Sequence, residues 1–160
     1  MPLSPSIDLT IPHFQQEEDY SCVAACLRMA LKYYDIDEQE VDLRLLLDTQ
    51  FPQGTRFENV ARAVGVWDLN LRLLASELPQ LIETLAKNEV AILFLQTGPL
   101  DYWGGVNENH AVLVSGVDSE ANEVYLNDPS FAQGPQTTSI STFEQAWNST
   151  GNLTAFIFKP

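Results

Sequence analysis

The stretch Gln16-Glu17-Glu18-Asp19-Tyr20-Ser21-Cys22-Val23-Ala24-Ala25-Cys26-Leu27-Arg28-Met29-Ala30-Leu31-Lys32-Tyr33-Tyr34 joins a polar loop to an amphipathic helix, and the rest of the chain is read outward from it. Ser21 has N-cap chemistry, the residues from Val23 on are good helix formers, and Cys26, Met29, Ala30 and Tyr33 recur at helical spacing. Cys22 therefore falls in the first turn. A thiol in that position meets unpaired backbone N–H groups and the positive end of the helix dipole, both of which favour thiolate over thiol. Cysteine is also a small residue that cores use as a hydrophobe, so its partners must come from elsewhere in the chain.

Downstream, the pattern is first helical and then extended. Asp37 can cap a second helix through Val41, Leu43, Leu45, Leu46 and Leu47, ended by the turn Gln50-Phe51-Pro52-Gln53-Gly54. Thr55-Arg56-Phe57-Glu58 has capping-box spacing and opens a third helix that Gly65 can end, after which Val66 to Leu74 alternates like a strand. Ser76 can cap a fourth helix, Glu77 to Lys87, with Pro79 in its first turn. Four strands are then expected: Val90 to Leu95, His110 to Val117, Glu123 to Asn127 and Leu153 to Phe158, with Asp118–Asn122 as a hairpin turn. Ser141-Thr142-Phe143-Glu144 starts a short helix ending near Trp147. Upstream of the opening stretch, Leu9 to Phe14 reads as a short extended arm. Helices followed by an antiparallel sheet are an α+β layout. With no linker or repeat to divide it, residues 1–160 are expected to form a single domain.

Charge and composition exclude several function classes. Eight Lys and Arg against 22 Asp and Glu give a formal net charge of −14, which repels phosphate backbones and anionic membranes, so nucleic acid is not an expected partner. A basic substrate or partner would be steered favourably by that charge; the same acidity also serves solubility. No run approaches the roughly 20 apolar residues of a membrane span, and Met1 to Ser6 has neither a basic nor an apolar leader region. Cys22 and Cys26, four apart on one helix, have near-parallel Cβ vectors that disfavour a disulfide. A reducing, cytoplasmic location is expected, with Cys26 in the core.

Thiolate acyl-transfer chemistry needs a nucleophile, a base, a group to orient the base, and donors for an oxyanion. Of the two histidines, His110 begins an apolar strand, a rigid element on which to hold a base, whereas His13 lies on the arm. Asp128 follows the next strand, and antiparallel pairing returns it beside the start of the histidine strand. Asn127 and Asn109 are alternative orienters. Gln16, or its neighbour Gln15, can add an amide donor to the Cys22 backbone N–H. The long connection Thr97 to Asn109, with Tyr102-Trp103 and Gly104-Gly105, suits either a lid over a groove or an irregular crossover. Two cysteines and one distant histidine lack a fourth soft ligand, so no metal and no cofactor are expected.

Gln16, five residues, Cys22 and a second cysteine four on, then His110-Ala-Val-Leu-Val-Ser-Gly-Val-Asp118 and Val124-Tyr-Leu-Asn-Asp128-Pro129, resemble the C39 (bacteriocin-processing, double-glycine) peptidases of the papain-like superfamily. The resemblance implies a papain-like fold and a stand-alone cysteine peptidase. It assigns the oxyanion hole to Gln16, the nucleophile to Cys22, the base to His110 and the orienting role to Asp128. It further implies a peptide or protein substrate cut through a thioester after small residues such as Gly-Gly. Where the family usually has Gly-Pro after the nucleophile, this chain has Val23-Ala24, which narrows the space beside the thiol. The alternatives are a catalytically silent papain-like binding module, or an acyltransferase related to the phytochelatin synthases.

Overall fold

A computed structural model describes residues 6–160. Seven strands form one antiparallel sheet: β1 (Ser6–Asp8), β2 (Asn70–Ala75), β3 (Val90–Gln96), β4 (Asn109–Asp118), β5 (Glu123–Asn127), β6 (Gln136–Ser139) and β7 (Leu153–Phe158). Their order is β2-β7-β3-β4-β5-β6, with β1 paired to the far end of β4. β3 and β1 share one edge of β4, opposite residues 109–114 and 116–118, while β5 runs along the other. Two neighbours leave β4 buried almost throughout, which is why its sequence is a continuous apolar run rather than an alternating one.

Four helices accompany the sheet: α1 (Cys22–Tyr33), α2 (Glu40–Leu46), α3 (Leu78–Ala86) and α4 (Ile140–Asn148). α1 packs on β4 and β3 on one side and on α2 on the other. It is buried well beyond a single apolar stripe, from Val23 to Leu27 and from Met29 to Leu31, and its alanines let the backbone approach the sheet closely. Trp147, Phe143, Leu27, Met29 and Leu31 are among the largest fully buried side chains of a core that spans both helical and sheet layers.

The strands and helices fall close to their sequence expectations, and the differences have local causes. α2 starts at Glu40 with Gln39 at its N-cap, and Asp37, ion-paired to Lys32 at 3.8 Å, does not cap it. Residues Phe57–Ala63 form a 3-10 helix, not an α-helix: the Thr55 hydroxyl is spent on Thr49 Oγ1 at 2.7 Å, and Asn59 donates to the Leu47 carbonyl. The following strand begins at Asn70, later than expected. α4 is capped by Ser139, whose Oγ accepts the Thr142 N–H at 3.2 Å, so it starts before Ser141. Residues 9–14 are not a strand; the arm pairs earlier, at Ser6–Asp8, and is extended by a Leu9 N–H to Ser115 O bond of 2.7 Å. At Ser115 the register of β4 against β5 slips, and Gly116 lies so close to β1 that a Cβ there would run into the Ile7 carbonyl oxygen.

Candidate active site

α1 brings its first residue, Cys22, to the open end of the sheet, where β4 begins. Ser21 occupies the N-cap position, yet its Oγ accepts the Glu18 N–H at 3.0 Å and caps no helix amide. The first N–H groups of a helix have no partner within it, so those of α1 keep their donors free beside the thiol. The approach loop is held from below by Glu40. This carboxylate, 1% exposed, accepts the Glu17 N–H at 3.0 and 3.2 Å and faces Arg44 at 3.4 Å, while Glu17 itself lies between Arg44 at 3.5 Å and Arg28 at 3.9 Å. Burial pushes the Glu40 pKa up against the pull of these donors and of Arg44.

His110, second residue of β4, pairs across the sheet with Leu95 and is buried. Its Nε2 donates to Asp128 Oδ1 at 2.7 Å, and the ring lines the same cleft as the Cys22 thiol. With Nε2 committed to Asp128, Nδ1 is the nitrogen left for sulfur. Burial opposes a charge on the ring, but the hydrogen bonds and negative charges of Asp128 and Cys22 outweigh it and push the His110 pKa up to about 10. Asp128 shows the converse: burial works against its ionisation, and the bond and charge of His110 with the Ser130 N–H and Trp103 still hold it below the usual carboxylate range. The site thus favours an imidazolium next to an ionised carboxylate.

The remaining sequence candidates separate cleanly. His13 is engaged at both nitrogens, with Phe131 O at 2.7 Å and Asn127 Nδ2 at 3.1 Å, so it braces the turn after β5 and Asn127 braces it in return. Asn109 accepts from Gln96 at 3.2 Å and does not reach His110 in that role. Cys26 is fully buried and free; burial, then the charges of Cys22, Asp128 and Glu40, raises its pKa well above normal and keeps it a neutral thiol. Gln15 is exposed. Gln16 is anchored by its own N–H to Pro129 O at 2.7 Å, and its side-chain amide donates to Glu18 O at 2.8 Å. Its Oε1 reaches Ser130 Oγ at 3.5 Å, and that hydroxyl lies 3.4 Å from His110 Nε2. The Gln16 side chain therefore sits at the edge of the site next to Ser130, with one amide hydrogen not spent on Glu18.

A cleft of about 490 Å³ opens over Cys22 and His110. Its lining includes Tyr20, Pro52-Gln53-Gly54-Thr55 and Phe57, together with Leu95, Glu108 and Asn109. Val23 lines it too, at 2% exposure. Apart from His110 the lining carries no basic residue; Asp19 and Glu108 make it acidic. Tyr102 and Trp103 do not cover this cleft. They lie on the far side of Asp128, in a 3-10 turn (Asp101–Trp103), and donate to its Oδ2. The connection reaches the cleft only at Glu108 and Asn109 and is no lid, and Tyr102, Trp103, Ser130 and Glu40 were not recognisable as site residues because each meets its hydrogen-bonding partner only through the fold. Among the described residues no group of three or more His, Cys, Asp or Glu side chains could hold a metal ion, and no helix is long and apolar enough to cross a membrane.

A nucleophile-bearing helix laid against an antiparallel sheet that carries a histidine is the papain-like cysteine peptidase architecture. The chain belongs to the Peptidase_C39 like family, whose model matches residues 8–155, and it is a cysteine peptidase. No curated protein matches it significantly in sequence. Among solved structures it is similar to a candidate C39-like peptidase from Bacillus anthracis, at 18% identity and TM-score 0.76, covering 97% of this chain and 98% of that one. It is also similar to a double glycine motif protease from an AMS/PCAT transporter, solved in complex with the leader peptide, at 20% identity and TM-score 0.71, over 96% and 94% of the two chains. Xylellain, a cysteine protease from Xylella fastidiosa, matches at 12% identity and TM-score 0.69, over 99% and 87%.

Proposed function

We propose that the chain acts as one peptidase domain in which Cys22 is the nucleophile, His110 its acid–base partner and Asp128 the residue that orients His110. The observation that carries this reading is the bond of 2.7 Å from His110 Nε2 to Asp128 Oδ1, beside the cleft that Cys22 and His110 line together. Cys22 Sγ attacks the peptide carbonyl carbon, and its proton resides on His110 Nδ1. The negative charge that forms on the carbonyl oxygen is met by the free Cys22 N–H at the start of α1 and by the second amide hydrogen of Gln16. As the C–N bond breaks, His110 gives its proton to the leaving amine, and a thioester remains on Cys22. His110 then takes a proton from water, the resulting hydroxide attacks the thioester, and the C–S bond breaks to release the acid and restore the thiol.

The substrate we infer is a peptide segment with small residues before the cleaved bond, such as Gly-Gly. Support comes from the transporter-associated double glycine protease with its bound leader peptide and from Val23, whose branched side chain lines this cleft next to Cys22. Asp19 and Glu108, together with a net charge of −14, favour basic residues nearby. Two free cysteines, one of them fully buried, are consistent with work in a reducing, cytoplasmic compartment.

The test is the rate of iodoacetamide labelling against pH for the wild type, Cys22→Ala and His110→Ala, with the modified residue located by mass spectrometry. Fast labelling at pH 6, confined to Cys22 and slowed by removing His110, is expected. Slow labelling with an ordinary thiol midpoint that His110→Ala leaves in place would make the chain a binding module in a peptidase fold.

A further inference from the structure

Asp128 is completely buried and takes four donors. Oδ1 accepts His110 Nε2 at 2.7 Å and the Ser130 N–H at 3.0 Å; Oδ2 accepts Tyr102 Oη and Trp103 Nε1, each at 2.9 Å. A carboxylate offers about four acceptor sites, so none is left over. The two aromatic donors come from one short turn whose position is fixed independently of Asp128. Leu100 N–H bonds to Thr97 O at 2.9 Å, the Thr97 hydroxyl ties across the connection to Val106 O at 2.7 Å, and Gly104 closes the turn at φ +62°. The Trp103 ring meets His110 edge-on at 5.0 Å, and both aromatic rings pack on Phe131 at 5.3 and 5.7 Å. A turn that needed only to fill space would not aim two polar atoms at one oxygen.

We propose that Tyr102 and Trp103 are positioning residues that hold the Asp128 carboxylate in one plane and keep it ionised, and through it set the charge state of His110. This rests on the reading of Cys22, His110 and Asp128 given above. The two donors withdraw charge from the carboxylate through Oδ2, so that the proton on the opposite side stays with His110 Nε2. They also stop the carboxylate rotating away from the ring. Losing either donor makes Asp128 easier to protonate and leaves its plane less constrained. Both changes weaken the support for the imidazolium, and with it the thiolate. The other titratable groups near the pair are Cys22 and Cys26 from α1, with Asp19 and Glu108 along the cleft that His110 lines.

Tyr102→Phe removes one oxygen atom, and Trp103→Phe removes the indole N–H while keeping an aromatic ring against Phe131. The experiment follows iodoacetamide labelling of Cys22 against pH in the wild type, both single variants, the double variant and His110→Gln, with circular dichroism to confirm folding. The acid limb of the profile is expected to move up by about 0.5 pH unit in each single variant and about 1 in the double. If Trp103→Phe does not fold, Tyr102→Phe carries the test alone. A midpoint equal to the wild type in a folded variant, whatever its thermal stability, would reduce the pair to a packing role. If His110→Gln also leaves the midpoint where it was, the underlying assignment fails and this one with it; if His110→Gln moves it and the aromatic variants do not, only the positioning role is overturned.

Discussion

Replacing Asp128 by asparagine tests how much of the His110 charge depends on this one side chain. The imidazole has an ordinary pKa near 6.5, and its surroundings raise it to about 10. Each pH unit is worth about 1.4 kcal/mol, so the folded site favours the imidazolium by roughly 5 kcal/mol. Asp128 and Cys22 both contribute a hydrogen bond and a charge to that rise, and the Asp128 bond is the larger. Asparagine has the same shape but is a poor substitute here. Whichever way its amide is turned, the NH2 faces two donors: Tyr102 and Trp103 on one side, or His110 and Ser130 N–H on the other. The His110 midpoint should therefore fall by about 1–3 pH units in Asp128→Asn. Proton NMR of the His110 ring against pH measures this directly, with unfolding in urea as a check that the variant is folded. A folded variant whose His110 midpoint stays where the wild type's lies would refute the reasoning, because His110 would then hold its charge without the carboxylate.

Three further outcomes follow from the same geometry. The raised His110 pKa means that the folded state keeps a proton which the unfolded chain loses above about pH 6.5; this stability is complete below that pH and is lost as pH rises through about 10, so the melting temperature should fall across that window and His110→Gln should flatten the fall. Glu40→Ala removes the acceptor of the Glu17 N–H and the partner of Arg44, and should cost about 1–3 kcal/mol in urea unfolding while loosening the loop before Cys22; an unchanged midpoint would show that the loop is held elsewhere. Gly116→Ala should separate β1 from β4, seen as faster hydrogen exchange at the Leu9 amide, which bonds to Ser115 O, with residues 109–114 still protected.

What could be read in the sequence was short-range. The helix that begins at Cys22 declares itself through the apolar residues at helical spacing after it. The hairpin of β4 and β5 is closed by a turn at Asp118–Asn122, so the return of Asp128 to His110 follows from strand lengths alone. Longer-range or polar features were hidden. Gln136–Ser139 carries no apolar alternation, yet it pairs with β5 as the edge strand. Ser6–Asp8 is three residues long and finds its partner only across the whole domain. Glu40 reads as the exposed start of a helix, and it is buried because the loop before Cys22 folds over it. Tyr102 and Trp103 stand out as aromatic residues in a glycine-rich loop, but nothing local tells which face of the site they address. Their acceptor is 25 and 26 residues away.

His110 lies on the innermost strand of the sheet, flanked by β3 and β5, and not on a loop above it. Strands so placed open only when the whole molecule opens. The histidine therefore has no private route to disorder: fraying of an edge strand such as β6 or detachment of β1 leaves it in register opposite Leu95. Heat inactivation then becomes a gauge of the native population as a whole, and a preparation that still reacts at Cys22 in a His110-dependent way has its central sheet intact.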